Sequence, residues 1–288
     1  MLALSAALFG AMAFTTKLAT ARLGGAQVAM VRFLIGLAPI LLIPNIRRQS
    51  FAVQRWDLLF YRGFFGGTAV LLYFQTIEHI PVGVATLLNY TAPIFSGVFA
   101  AIFIGERVRP SVLVPLIISF TGIVLVVRSH ATAGEMLGFG RWELAGLCSA
   151  MLSGIAVTAI RVARRTESSW SIFASFSIFG LLATAPFGIQ NWINPNGVEW
   201  TMLAFVGLFS IAAQLLMTSA LRWVETLSAG VISQLAVVVS MILGAVWLEE
   251  HLLPMTLIGS ALTITGVVAV MALTSRPKSS AFDEAAEQ

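Results

Sequence analysis

The residues of this 288-residue chain with the most to offer chemically are hydrogen-bonding side chains set inside long apolar runs. Asn89, Tyr90 and Thr91 stand together in one such run, followed by Pro93. Proline has no N–H, so the carbonyl of Asn89 loses its helical donor and the helix tends to kink there. A freed carbonyl beside Asn and Tyr concentrates hydrogen-bonding groups where polar atoms are expensive and need interior partners. Such a cluster suits reversible recognition of a small polar molecule, with a polar bridge between helices as the plainer alternative. Ser233 and Gln234 form a second pair in a later run. Tyr73 and Gln75 lie in a third and Gln214 in a fourth, where it is nearest the middle of its run. In-run Thr and Ser, such as Thr15, Thr16, Thr218 and Ser219, count for less, because they often bond back to their own helix.

Charged groups inside the runs are few. Arg32 and Arg62 are expected to reach the interface along their apolar stems. A sharper reading pairs Arg32 with Glu78 as a gate or carboxylate-binding element, with Pro93 as the bending point. Lys17 and Arg161 end two runs and are read as anchors, or as guides for an anionic group at each mouth. Glu106 and Glu250 sit where a carboxylate opposes the helix dipole, so each is expected to cap a structural partner. No Asp or Glu lies near the middle of a run. That favours facilitated diffusion or exchange over proton coupling. Phe14, Tyr73, Tyr90 and Trp170 are the aromatic candidates for lining a pocket, whereas Gly63-x-x-x-Gly67 reads as helix packing.

Several function classes fall away. His79, His130 and His251 are scattered at run ends, so no catalytic cluster is expected, and Cys148 stands alone, which excludes an internal disulfide and a multi-cysteine metal site. No phosphate-binding loop of the Walker type is present, so the chain itself uses no ATP. No metal or cofactor is expected. The net charge of +4 would suggest nucleic acid in a soluble protein. Here the basic residues sit between apolar runs and report membrane topology instead.

Only membrane helices can hold polar groups in this way. Hydrophobic residues make up 58% of the chain and charged residues 10%, and mean hydropathy is +0.91. A soluble domain needs far more surface charge. Apolar runs of about 18–22 residues recur, the length that crosses roughly 30 Å of hydrocarbon. Spans are expected near 1–20, 26–44, 57–77, 83–104, 110–127, 143–161, 170–190, 200–220, 228–248 and 253–273. The first run lacks a charged leader and a cleavage site and is read as a span.

Displacing the chain by 144 residues aligns its halves without a gap from about residue 60 onward. Gly63 then falls on Gly207, Ala69 on Ala213, Ser96 on Ser240, Glu106 on Glu250 and Pro110 on Pro254. Thr121-Gly122 falls on Thr265-Gly266 in the same register. The units are residues 1–128 and 143–274, with a linker at 129–142 and a polar, disordered tail at 275–288. Five spans per half is an odd number, so the second half enters from the opposite side. Inverted halves are a signature of transporters, with the substrate site near the midplane between them. A receptor has no need of them.

In this register Asn89 and Tyr90 fall on Ser233 and Gln234. Each pair lies about 6 Å from its span's midpoint at 1.5 Å per residue, on opposite sides of the midplane. They are expected to frame one pocket from its two ends. Pro93 is Val237 in the second copy, so only span four is expected to kink. Eleven Lys or Arg fall in the loops on the N-terminal side against four on the other, which puts both termini in the cytoplasm.

The repeat unit resembles the EamA domain of the drug/metabolite transporter superfamily over essentially the whole chain. The resemblance is carried by Ala85–Ser96 leading into Gly105-Glu106, by a second copy ending Leu248-Glu249-Glu250, by Phe9–Phe14, and by Arg32-Phe33. It implies an all-α membrane protein of ten transmembrane helices in two inverted five-helix repeats around a central cavity. In size and layout the chain is similar to bacterial exporters of aromatic and other amino acids. That similarity implies a bacterial inner-membrane location, a small-molecule substrate, and a monomer or weak dimer in the bilayer. A carrier of larger metabolites, such as vitamins or nucleotide derivatives, is the alternative.

Overall fold

The computed structural model describes residues 1–104, 111, 113–129, 140–220, 232–250 and 253–274. Glu106, Arg107, Arg109, Pro110, His130, Arg222, His251, Arg276 and Lys278, most of the linker and the whole tail lie outside these residues, as does the side chain of Arg161. The expectations placed on them stop there.

The described residues form helices α1 (Leu2–Ala19), α2 (Gly25–Leu42), α3 (Pro44–Phe51), α4 (Trp56–His79), α5 (Val82–Asn89), α6 (Ala92–Ile104), α7 (Leu113–Ser129), α8 (Arg141–Ala163), α9 (Ser169–Gln190), α10 (Gly197–Ala220), α11 (Leu235–Trp247) and α12 (Pro254–Thr274). Counting α5 and α6 as one interrupted span, these follow the ten expected spans. The short α3 was not expected. Pro44 opens it at a position where a missing N–H costs nothing.

Six of these helices are long and apolar enough to cross a membrane by length and composition. The 24-residue α4 is as long but carries Asp57, Arg62 and Glu78. Polarity is inverted relative to a soluble protein. Leu42, Trp247 and Trp56 point outward at 78%, 72% and 67% exposure, while Thr86, Thr91, Ser96 and Ser149 are fully enclosed. Buried hydroxyls in a lipid environment need internal partners, and these find them.

The two halves pack as symmetry mates. α1 lies on α10 as α8 lies on α4, and α4 lies on α9 as α10 lies on α2. α7 packs on its own mate α12, and α5 packs on α11, the mate of α6. Individual bonds obey the same 144-residue rule. Ser149 Oγ donates to the carbonyl of Ala69 at 2.7 Å, and its mate Ser5 donates to the carbonyl of Ala213 at 2.7 Å. Ser119 Oγ reaches the carbonyl of its own mate Thr263 at 3.4 Å. Five spans per half reverse the second half, so the relating axis lies in the membrane plane.

Close approach sets the glycines. A Cβ on Gly67 would sit 2.5 Å from the Cα of Gly180, so α4 and α9 touch backbone to backbone. This is the packing role expected of Gly63-x-x-x-Gly67. A Cβ on Gly122 would meet the carbonyl of Gly259 at 2.5 Å, and one on its mate Gly266 would meet Ser119 at 2.6 Å. Without hydrophobic drive between helices in lipid, such small-residue contacts carry much of the association.

Candidate substrate pathway

Span four breaks where the proline places the break. α5 ends at Asn89 and α6 begins at Ala92. The Ile94 N–H bonds the Thr91 carbonyl at 2.9 Å, leaving the Tyr90 carbonyl without its helical donor. The side-chain amide of Gln234 fills that vacancy, donating to the Tyr90 carbonyl at 3.3 Å. Gln234 is the repeat mate of Tyr90. The expected picture, with the two pairs framing a pocket from opposite ends, is therefore not what is found. Spans four and nine are mates packed on the pseudo-twofold axis, and residues near an axis meet their own copies.

The second copy is interrupted too, against the expectation that Val237 would keep it straight. Gln234 retains right-handed helical angles (φ −62°, ψ −18°). Its carbonyl is shared between the N–H groups of Val237 at 3.0 Å and Val238 at 3.4 Å, a partial tightening toward i+3 bonding that needs no proline. Pro93 thus determines how span four is interrupted, while the position of the interruption is shared by both copies.

The other expected polar groups of the first half hold helices to one another. Asn89 Nδ2 donates to Ser149 Oγ at 2.7 Å, which in turn bonds Ala69. The Tyr73 hydroxyl lies 2.9 Å from Thr86 Oγ1, and Thr86 donates back to the Val82 carbonyl. Phe14 is half-buried on α1. Ser233 is half-buried beside Gln234 and, like it, sits at the interruption.

A mouth of about 640 Å³ opens at the face carrying α3 and the α8–α9 loop. It is lined by Gln49, Arg164, Arg165, Thr166, Glu167, Ser168, Ser169, Trp170, Leu215 and Ser219. Ser168 caps α9 by accepting from the Ser171 N–H at 2.9 Å, and Glu167 Oε1 caps α4 through the N–H groups of Gln54 and Arg55 at 2.8 and 2.7 Å. Trp170 faces the mouth, packed edge-on to Phe173 at 6.0 Å. From Ser219 a buried polar row runs inward along α10 through Thr218, Gln214 and Ser210, spaced one turn apart.

That row ends on Arg32. Its Nε donates to Ser210 Oγ at 2.5 Å, and its guanidinium lies 5.2 Å from the centre of the Phe176 ring. Arg62 lies 4.0 Å from the centre of the same ring. Both arginines are 4% exposed. Neither reaches the interface as expected, because α9 and α10 close over them, and Arg32 does not pair with Glu78. Glu78 Oε2 instead accepts from the Gly25 N–H at 2.7 Å and caps α2.

The opposite face is laced shut. Lys17 Nζ donates to the carbonyls of Ile77 and Ile80 at 2.8 and 2.9 Å, capping α4 and not guiding cargo. Glu250 accepts from the Val82 N–H at 2.9 Å and caps α5, as expected of it. Gln27 exchanges two hydrogen bonds with the backbone of Ile193. Arg22 forms a two-pronged ion pair with Glu199, whose carboxylate holds the guanidinium above its ordinary value. Among the described residues no three His, Cys, Asp or Glu side chains come together to hold a metal.

Sequence reasoning missed Ser149, Phe176, Ser210 and the mouth residues other than Trp170 and Ser219. Ser149 had a signal, because its mate Ser5 is also a small polar residue in a span. Phe176 is one of twenty phenylalanines and had none.

Ten spans in two inverted halves, interrupted at mated positions and open at one face, define a multi-pass membrane transporter. The chain belongs to the EamA-like transporter family, whose sequence profile matches residues 1–128 and 140–272. It is 25% identical over 263 residues to the pseudopaline exporter CntI of Pseudomonas aeruginosa, covering 91% of each chain. It is 26% identical over 197 residues to a probable terminal-alkyne amino-acid exporter of Streptantibioticus cattleyicolor, covering 67% of this chain and 65% of the relative. A solved crystal structure shares the fold with a TM-score of 0.61 at 23% identity, covering 94% of this chain and 98% of its own.

Proposed function

We propose that this chain is a secondary transporter of the bacterial inner membrane that exports or exchanges amino acids, aromatic ones included, by alternating access of its two repeats. The observation that carries the reading is the bond between Gln234 and Tyr90. It ties the two mobile halves at the one level where both copies of the interrupted span relax their helical bonding. A weak polar tie at an axis can break and reform as one repeat rocks against the other. Named exporters among the relatives support the direction, and the Lys/Arg asymmetry supports cytoplasmic termini.

The mouth at α3 then opens to the cytoplasm, and the latches at Lys17, Arg22–Glu199, Gln27 and Glu250 close the other side. Trp170 offers an aromatic platform at the mouth, and the α10 row with Gln214 offers hydrogen bonds along the way. The acidic residues among those described lie near span ends, where Asp57, Glu78, Glu167, Glu199 and Glu250 serve as caps or ion-pair partners, which supports exchange driven by the cargo's own gradient.

The test is counterflow in proteoliposomes preloaded with phenylalanine, with labelled phenylalanine, tyrosine and glutamine outside. Saturable, mutually competing uptake is expected. A flux no greater than that of empty liposomes for every amino acid and larger metabolite tried would remove the transporter reading.

A further inference from the structure

We infer that Arg32 and Arg62, both packed against the ring of Phe176, form a binding site for the carboxylate groups of an anionic cargo. The inference rests on the transporter reading and narrows its substrate class.

Two guanidinium groups lie enclosed in the helix bundle against one aromatic ring, at 5.2 and 4.0 Å from its centre. Arg32 Nη1 and Arg62 Nε are buried without a hydrogen-bond partner. Among the described residues the ion pairs are Arg22–Glu199, Arg55–Asp57 and Glu78–His79, so no carboxylate answers either buried arginine. Cation–π contact with Phe176, and for Arg32 also with Phe33 and Phe74, offsets part of the desolvation. It leaves the N–H donors unfilled, and an arginine buried without an anion is strongly disfavoured. A pair of like charges sharing one ring is worse still.

Position follows from the same geometry. Arg32 is joined through Ser210 to the polar row of α10, which reaches the mouth at Ser219 nine residues away, or about 13 Å along the helix. Phe176 is six residues, about 9 Å, from Trp170 on α9. The unfilled donors therefore stand at the inner end of the track that starts at the open mouth. The mouth carries Arg164 and Arg165 against the single carboxylate of Glu167, which is turned to the start of α4, and this balance favours approach of an anion.

The chemistry that fits is planar and bidentate. A guanidinium presents paired N–H donors that match a carboxylate, and two such forks with no acid between them suit a molecule bearing two carboxylates. A neutral cargo would leave both positive charges unanswered, and a cargo with a single carboxylate would leave one. Arg32 and Arg62 would both gain partners on binding and lose them on release, so occupancy would be coupled to the packing of α2, α4 and α9.

The purified chain in detergent tests this by thermal shift against glutarate, its diamide glutaramide, and sodium chloride at matched ionic strength. Glutarate is expected to raise the melting temperature saturably at millimolar concentration, with glutaramide and chloride giving none of that shift. Arg32→Met and Arg62→Met should each weaken glutarate binding at least tenfold, with Arg62→Lys recovering part of it. Equal shifts from glutarate, glutaramide and chloride on wild-type protein would overturn the site, whatever the variants do. A folded Arg32→Met, Arg62→Met double variant that still binds glutarate normally would overturn it as well. Wild-type protein that carries phenylalanine in vesicles yet ignores glutarate loses this site while the transporter reading stands. Protein that binds glutarate yet moves no solute loses the transporter reading while the site stands.

Discussion

Gln234 donates its side-chain amide to the carbonyl of Tyr90, the residue whose place it occupies in the other half of the chain, at 3.3 Å and a separation of 144 positions. Mates in contact mark the axis of an inverted repeat, and this contact falls where both copies of the interrupted span depart from regular α-helical bonding. The consequences can be tested one at a time.

Gln234→Ala removes the donor and leaves the Tyr90 carbonyl unfilled, a loss of about 1 kcal/mol for a neutral hydrogen bond. Counterflow of labelled phenylalanine is expected to fall several-fold while the protein remains folded. Asn89→Ala should act similarly, because its bond to Ser149 ties the same level to α8. Wild-type flux from both variants, for every amino acid tried, would mean that the axis contacts play no part in transport.

Ser149→Ala and Ser5→Ala delete mated bonds to the carbonyls of Ala69 and Ala213. Interhelical bonds in membranes average about 0.6 kcal/mol. Ser149→Ala should cost more than Ser5→Ala, because it also strands the Asn89 amide. Equal shifts in melting temperature would show that the Asn89 bond adds nothing.

Glu250→Gln keeps an acceptor for the Val82 N–H but removes the charge that favours a helix N-terminus, a loss of about 0.3–1 kcal/mol. Glu250→Ala should cost more. Its neighbour Glu249 holds a left-handed backbone angle, φ 53°, in turning the chain back toward α5. Glu249→Gly should relieve that strain and raise the melting temperature, by the roughly 1 kcal/mol a side chain costs there. A drop would indicate that Glu249 supports the fold through contacts of its own.

Ser219→Cys in a Cys148→Ser background reports the side of the mouth. A membrane-impermeant thiol reagent is expected to label it in inside-out vesicles and to spare it in whole cells, and preloaded cargo should slow the labelling. Labelling confined to whole cells would reverse the assigned orientation.

How much of this was legible in the sequence can be argued residue by residue. Composition and run length showed a helical membrane protein, because hydrocarbon tolerates no other use of such a chain. The 144-residue register identified inverted halves and so made mates of Tyr90 and Gln234. Pro93 located the break in span four, since a missing N–H is a local fact. Glu250 was read correctly as a cap, because a helix dipole is also local.

What only the tertiary structure decided is which groups meet. The register alone left Tyr90 and Gln234 on opposite sides of a midplane, and only packing about the axis put one against the other. Arg32 and Arg62 looked free to reach the interface, since a sequence contains no information on what closes over a long side chain. The helices that do so, α9 and α10, come from the other half of the chain, more than a hundred residues away. The same separation hid Phe176 among twenty similar residues. Periodicity, proline and dipole effects act within one or two turns and can be read along the chain, whereas burial and partnership are made between spans and exist only once the two halves have packed.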